Sequence, residues 1–289
     1  CHVSLCFFNP TSTTRIYTLS LHDALPIWYN AMCRTDRNLA WSCSPQTSLV
    51  FEQSIRSMKL SLRKILSWAK SSCLLLFKPR KFWGNIYAAY LTLMFVDEYD
   101  VFPAIQFIDR IIKVTFNKAK NSRLVIRKPL IIQPWLANHQ TTFTLGESST
   151  CVIKGEFILG DDVHIRIAKD GKLIIEGRNH ESGSGITARC VILVNDFVSI
   201  GADTIIAWDT FITDSDWHLI NDTLHCSPTI IGNHVWVAQG VSILRGTNIG
   251  DNSIVGSGAV VLGGDFPNSC LIAGVPARVT ETAIRSWKR

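Results

Sequence analysis

Residues 231–262 read IGNHVW VAQGVS ILRGTN IGDNSI VGSGAV VL, and this stretch decides the fold. Ile231, Val237, Ile243, Ile249, Val255 and Val261 recur at intervals of six. Gly, Ala or Leu follows each aliphatic residue, and small or polar residues fill most other places. A helix would place apolar residues three and four apart, and a half-buried strand would alternate strictly. A fixed hexapeptide period instead predicts a parallel β-helix. Each hexad makes one flat side of a polygonal coil, with its aliphatic residue inside and small residues at the corner. Coils then stack, so the interior becomes an aliphatic ladder and each backbone pairs with the coils above and below.

The same pattern extends outward from this core. Val194, Ile200, Ile206 and Ile212 are again six apart. Nineteen residues separate Ile212 from Ile231 with no hexad between them, so the chain is expected to leave the coil and return. This excursion, 213–230, holds DSDWHLINDTLHCSPT. Further back the period is degraded: Leu159 to Ile165 fits it, Lys169 to Lys172 reads as a turn, Leu173–Ile175 as a strand, and 179–185 (NHESGSG) as a loop. Pro129 and Pro134 are expected to break the chain before regular coils begin, with Arg123–Ile126 as a first strand.

The front of the chain is of another kind. Residues 58–128 carry fourteen basic and four acidic residues, whereas 129–289 carry eleven and sixteen, so the net charge of +6 hides a basic front and an acidic body. Leu62, Ile65, Leu66, Ala69, Cys73 and Leu76 lie at helical spacing and predict an amphipathic helix over 58–78, ending before Pro79. Two uses suit it: lying on a membrane surface, or covering the open end of a solenoid. Ile105, Ile108, Ile111 and Ile112 predict a second short helix. Residues 1–57 show no sustained period and are read as a non-native or disordered extension, with Met58 as a start. The expected division is therefore 1–57, a basic segment 58–128, a β-helix over 129–275 and a tail over 276–289.

Composition narrows the classes. Nine cysteines without CxxC pairs argue against a disulfide framework or a structural zinc site, and a reducing cytoplasm is the simplest context. No uninterrupted apolar run is long enough for a membrane span. No nucleic-acid motif accompanies the basic front, so nucleic acid is not expected; the front is read either as touching the inner face of a membrane peripherally or as a plain solvated helical face.

The repeat, the segment Trp208-Asp-Thr followed by Thr213-Asp-Ser-Asp-Trp-His218, and the ending Ala273-Gly-Val-Pro-Ala-Arg-Val279 together resemble the hexapeptide-repeat acyltransferases. The likeness is to the maltose, galactoside and capsule-sugar O-acetyltransferases. It implies a left-handed β-helix with three hexads per coil, a homotrimer, acetyl-CoA as co-substrate, and a sugar or glycan hydroxyl as acceptor. It also implies roles. His218 matches the catalytic base, with Asp216 or Asp214 to fix its tautomer. A histidine suits the task because its unperturbed pKa of ~6.5 lies near working pH. In the Val235-Trp236-Val237-Ala238 motif, the amide of Gln239 matches the donor to the developing oxyanion. Ala238 stands where the family has Gly.

Trp236, Ala238, Gly256, Ser257, Gly258 and Arg278 match cofactor-binding positions, with Arg278 near the phosphates. Gly263-Gly264-Asp265 departs from the family's usual sequence and removes one phosphate contact. No metal is expected, because His218, His225 and His234 are seven and nine apart. Nucleotide-sugar N-acetyltransferases and serine O-acetyltransferases share part of the likeness, and a non-catalytic hexapeptide scaffold is the alternative of another class.

Overall fold

The computed structural model describes residues 64–65, 67–69, 79–136, 140–179, 183–219 and 225–288. The extension over 1–57 lies outside the described residues, as does most of the helix expected over 58–78, of which 64–65 and 67–69 are helical.

Strands stack into three parallel sheets that the chain visits in turn. The first sheet runs from Glu98–Tyr99 to Gly264–Phe266, the second from Ile105–Phe107 to Cys270–Gly274, and the third from Val114–Lys118 to Val260–Val261. Register lines up one inward residue per side. In the first sheet Ile126, Ile153, Ile175, Ile200, Ile231 and Ile249 are successive partners. In the second, Ile132, Leu159, Ile186, Ile206, Val237, Val255 and Ile272 are. In the third, Phe116, Phe143, Ile165, Ile192, Ile212, Ile243 and Val261 are. The ladder members from Ile126 to Ile272 are almost wholly buried in all three sheets, while Phe116, in the first coil, keeps 7 % exposure. Burial of a Val, Leu or Ile side chain is worth about 1.5–3 kcal/mol, which makes the ladders the main source of stability. The coil is left-handed, as the family resemblance implies.

Coils demand close approach at their corners. A Cβ added to Gly160 would lie 1.3 Å from the Thr187 carbonyl oxygen, so only glycine fits there. Ala238 is not at positive φ, and alanine is therefore accommodated where the family has glycine.

Three expectations for the front are corrected. Coils begin at Glu98, not after Pro129, because the strands Glu98–Tyr99, Ile105–Phe107 and Val114–Lys118 already belong to the three sheets. Arg123–Ile126 is a strand but not the first one. Ile105–Phe107 is a strand followed by turns, not a helix; Ile105 points inward, and Ile108 and Ile111 are exposed. The helix lies instead at Pro79–Phe95 (α1). Proline is favoured at a helix's first position, where its missing N–H costs nothing. Helix α1 covers the open first coil: the Thr92 hydroxyl accepts the amides of Ala104 (3.1 Å) and Ile105 (3.2 Å). The solenoid cap expected from residues 58–78 is thus supplied by α1.

Candidate active site

The excursion leaves the third sheet after Phe211–Thr213 and rejoins the first at Thr229–Ile231. Ile200 and Ile231 are ladder neighbours 31 residues apart, against 18 for Ile231 and Ile249, which measures the insertion. Its root is rigid. The buried Asp214 carboxylate accepts three backbone N–H groups at 2.7 Å, from Asn195, Asp196 and Phe197 of the preceding coil. Ser215 and Cys226 form an antiparallel bridge, closed by Asp216 N–H to His225 O (2.8 Å) and Ser227 N–H to Asp214 O (2.9 Å). Asp214 is therefore an anchor of the loop and not a partner for an imidazole.

Beyond the root, Trp217 takes a left-handed φ of 62°, its N–H held by the Ser215 hydroxyl (3.0 Å). That turn delivers His218 to the surface, exposed, next to the exposed Leu219. Among the described residues the His218 ring has no hydrogen bond or ion pair. Asp216 is ion-paired with Arg245, which comes from the neighbouring coil, so its carboxylate is engaged away from His218. Sequence reading gave no sign of Arg245, which lies 29 residues from Asp216.

The corner between the second and third sheets carries the other expected residues. Gln239 follows Val237, and Ser257 follows Val255 one coil later in matching register. Gly240 N–H donates to Trp208 O and Gly258 N–H to Gln239 O, both at 2.9 Å, which stacks the corners in a line. Among the described residues the N–H groups of Gln239 and Ser257 have no acceptor. Gly240 and Gly258 hold φ of 70° and 69°, and a Cβ on Gly258 would meet nothing within 4 Å. At the top of the line, a Cβ on Gly256 would touch the Cβ of Ala273 at 3.3 Å, and Ala273 faces Arg278 across the final antiparallel strand pair. Arg278 is exposed, and among the described residues its side chain donates to Ala277 O alone (2.8 Å). Trp236 stands half-exposed on the second sheet, 6.2 Å from Trp287.

Three further residues at this edge escaped sequence reading. Arg189 holds Asp209 through two bonds of 2.6 and 2.8 Å, and Asp209 accepts the Gln239 side-chain amide at 3.3 Å. The Arg189 bonds keep the Asp209 carboxyl below its ordinary range. A depressed carboxylate stabilises the fold above its unfolded pKa of ~3.9 and loses that contribution as pH falls through the lower folded value. Acid titration followed by the Gln239 side-chain amide resonance should show this group released only below the usual carboxylate range; release near pH 4 would contradict the pairing. Trp287 stacks on His234 at 4.1 Å and donates Nε1–H to its carbonyl (3.0 Å). Among the described residues no cluster of three His, Cys, Asp or Glu is placed to hold a metal ion.

His218 and Gln239 belong to different corners of the same coil stack. Five residues, 209–213, including the strand Phe211–Thr213, lie between Trp208, stacked against the Gln239 corner, and the loop root at Asp214.

Comparison with known proteins agrees with this architecture. The family model "Bacterial transferase hexapeptide (six repeats)" matches residues 228–263. WbbJ of Escherichia coli K12, named for lipopolysaccharide-biosynthesis O-acetyl transfer, is 36% identical over 40% of this chain and 74% of its own. The acetyltransferase-named YJL218W of Saccharomyces cerevisiae is 44% identical over 53% of this chain and 69% of its own. The galactoside O-acetyltransferase of Escherichia coli K12 is 28% identical over 64% and 83%. The stacked hexads and these relatives place the chain in the hexapeptide-repeat acyltransferase family. Within it, the chain is an acetyltransferase.

Proposed function

We propose that the enzyme transfers an acetyl group from acetyl-CoA to a hydroxyl of a sugar or glycan of the capsule or lipopolysaccharide type. The observation that carries this reading is an exposed His218, without a partner among the described residues, on a loop whose root is pinned by Asp214. Facing such an imidazole, an acceptor hydroxyl gives up its proton as its oxygen attacks the thioester carbonyl. The developing oxyanion takes the unpaired Gln239 N–H, and the intermediate collapses as the CoA thiolate leaves and takes up the proton. The Ser257 amide and the open space at Gly258 suit the extended pantetheine arm, and Arg278 suits a phosphate. The names of the lipopolysaccharide and galactoside relatives favour a sugar acceptor.

Because His218 and Gln239 belong to different corners, a complete site draws them from two neighbouring chains, as in the homotrimer that the family resemblance implies. The outer face of the second sheet supports this association: Ile131, Ile158, Ile205, Trp236, Ile254 and Leu271 form an apolar column in register, notched at Gly185. The basic front suits a peripheral position on the inner, cytoplasmic face of a membrane.

The direct test is acetyl transfer from acetyl-CoA to a panel of sugars and glycans. Mixing His218→Ala with Gln239→Pro subunits should restore part of the activity if the site is shared. No recovery, with both variants assembled, would argue for a site within one chain. Gly258→Ala should raise KM for acetyl-CoA several-fold at nearly constant kcat. The backbone strain of φ 69° would cost about 1–2 kcal/mol. An unchanged KM would remove the pantetheine arm from this corner.

A further inference from the structure

Helix α1 is apolar on both sides. Its buried face, with Ala88, Leu91 and Thr92, covers the first coil. On its outer face Trp83 (62% exposed), Tyr90 (50%), Leu93 (54%) and Met94 (61%) stand in solvent. Positions 83, 90 and 94 lie on one stripe at 3.6 residues per turn. Ile111, also exposed, meets the helix at its other side, its side chain 3.6 Å from where a Cβ on the buried Gly84 would be. Large contiguous exposed apolar patches mark interaction sites.

The charge around the patch says what covers it. From Met58 to Lys81 the sequence holds seven basic residues and no acidic one. Trp68, in the middle of that segment, packs edge-on against Phe102 (5.4 Å), so Trp68 lies at the same end of the coil as α1. Of the four acids in 82–128, three are already ion-paired: Asp97 with Lys118, Glu98 with Arg123 and Arg127, and Asp100 with Arg127. Burial alone would raise the Glu98 pKa, but the bonds from the two arginines outweigh it and hold the carboxyl below its ordinary value. Lys81, Lys113, Lys120 and Lys128 are exposed and have no acidic partner among the described residues. An apolar stripe edged by Trp and Tyr and bordered by uncompensated cations is the signature of a helix lying in a lipid interface. The described helices include none long and apolar enough to cross.

We propose that α1 is a monotopic anchor. It lies flat on an anionic lipid surface with Trp83, Tyr90, Leu93 and Met94 at the headgroup–acyl boundary, and Lys81 and the other uncompensated lysines against lipid phosphates. This deepens the membrane placement proposed above and is independent of acetyl transfer.

Co-sedimentation of the full chain with phosphatidylcholine vesicles, with and without phosphatidylglycerol, tests it. Binding is expected to the anionic vesicles at low salt, and to fall at ~1 M salt, where the Debye length is ~3 Å. Trp83→Ser/Met94→Ser should weaken binding at least tenfold. Leu262→Ser, equally exposed at the far end of the coil, should leave it unchanged, as should His218→Ala. A free phosphate source is separated by adding inorganic phosphate, which should not displace the protein from vesicles. No binding to anionic vesicles at low salt overturns the proposal, as does unweakened binding by the double variant. A double variant that changes oligomeric state or protease sensitivity of 1–78 while binding vesicles normally also overturns it, and assigns the stripe to a second copy or to the chain's own front.

Discussion

Replacing His218 with alanine is expected to lower kcat for acetyl transfer by about 10²- to 10⁴-fold, the range for losing a positioned general base. KM for acetyl-CoA should change little, because the line proposed to hold the cofactor, Gln239, Ser257 and Arg278, belongs to another corner. Stability should hold within about 0.5 kcal/mol, since the ring is exposed and bonds to no described residue. Steady-state kinetics with urea denaturation in parallel checks all three. A fall of less than tenfold would sink the general-base role.

Asp214→Ala should do the opposite and strike stability first. Its carboxylate takes three charge-assisted bonds from successive amides, and its removal leaves Asn195, Asp196 and Phe197 without their acceptor. At about 1.5 kcal/mol for each bond to a charged group, moderated where water reaches the turn, the loss is about 3–5 kcal/mol. Asp214→Asn should recover part of this, because its carbonyl oxygen still accepts. Activity should fall as well, through a loosened root beneath His218. An alanine variant as stable as the parent would show that the turn at 195–197 is held by other means.

Legibility in the sequence followed coil regularity. From Ile231 to Val261 each side takes six residues and one inward side chain, so the period is visible. Below Val194 the strands lengthen and carry two inward residues each, as with Ile165 and Ile167 or Ile192 and Val194, and turns such as that at 119–122 add residues at the corners. The period dissolves although the stacking continues. Helix α1 was hidden for a different reason: with apolar residues all round, it has no contrast between faces for a periodic reading to detect. At the candidate site, the stacking of Ser257 beside Gln239 was legible because it is arithmetic, eighteen residues to the next floor, while their proposed roles rest on the family resemblance. The partners of Asp214 and Asp216 were not, since a carboxylate's neighbours across coils leave no local mark.

The last strand, Ala277–Thr282, turns back antiparallel on Cys270–Gly274, and the following residues carry Trp287 down onto His234. A stack of identical hydrogen-bonded rungs would otherwise finish in bare donors and acceptors, able to seed end-to-end fibres. Reversal of the terminal strand, tied off by an indole, ends that column of the array. With α1 packed over the first coil at the opposite end, sideways contacts between chains stay open, the direction in which the proposed two-chain groove would form.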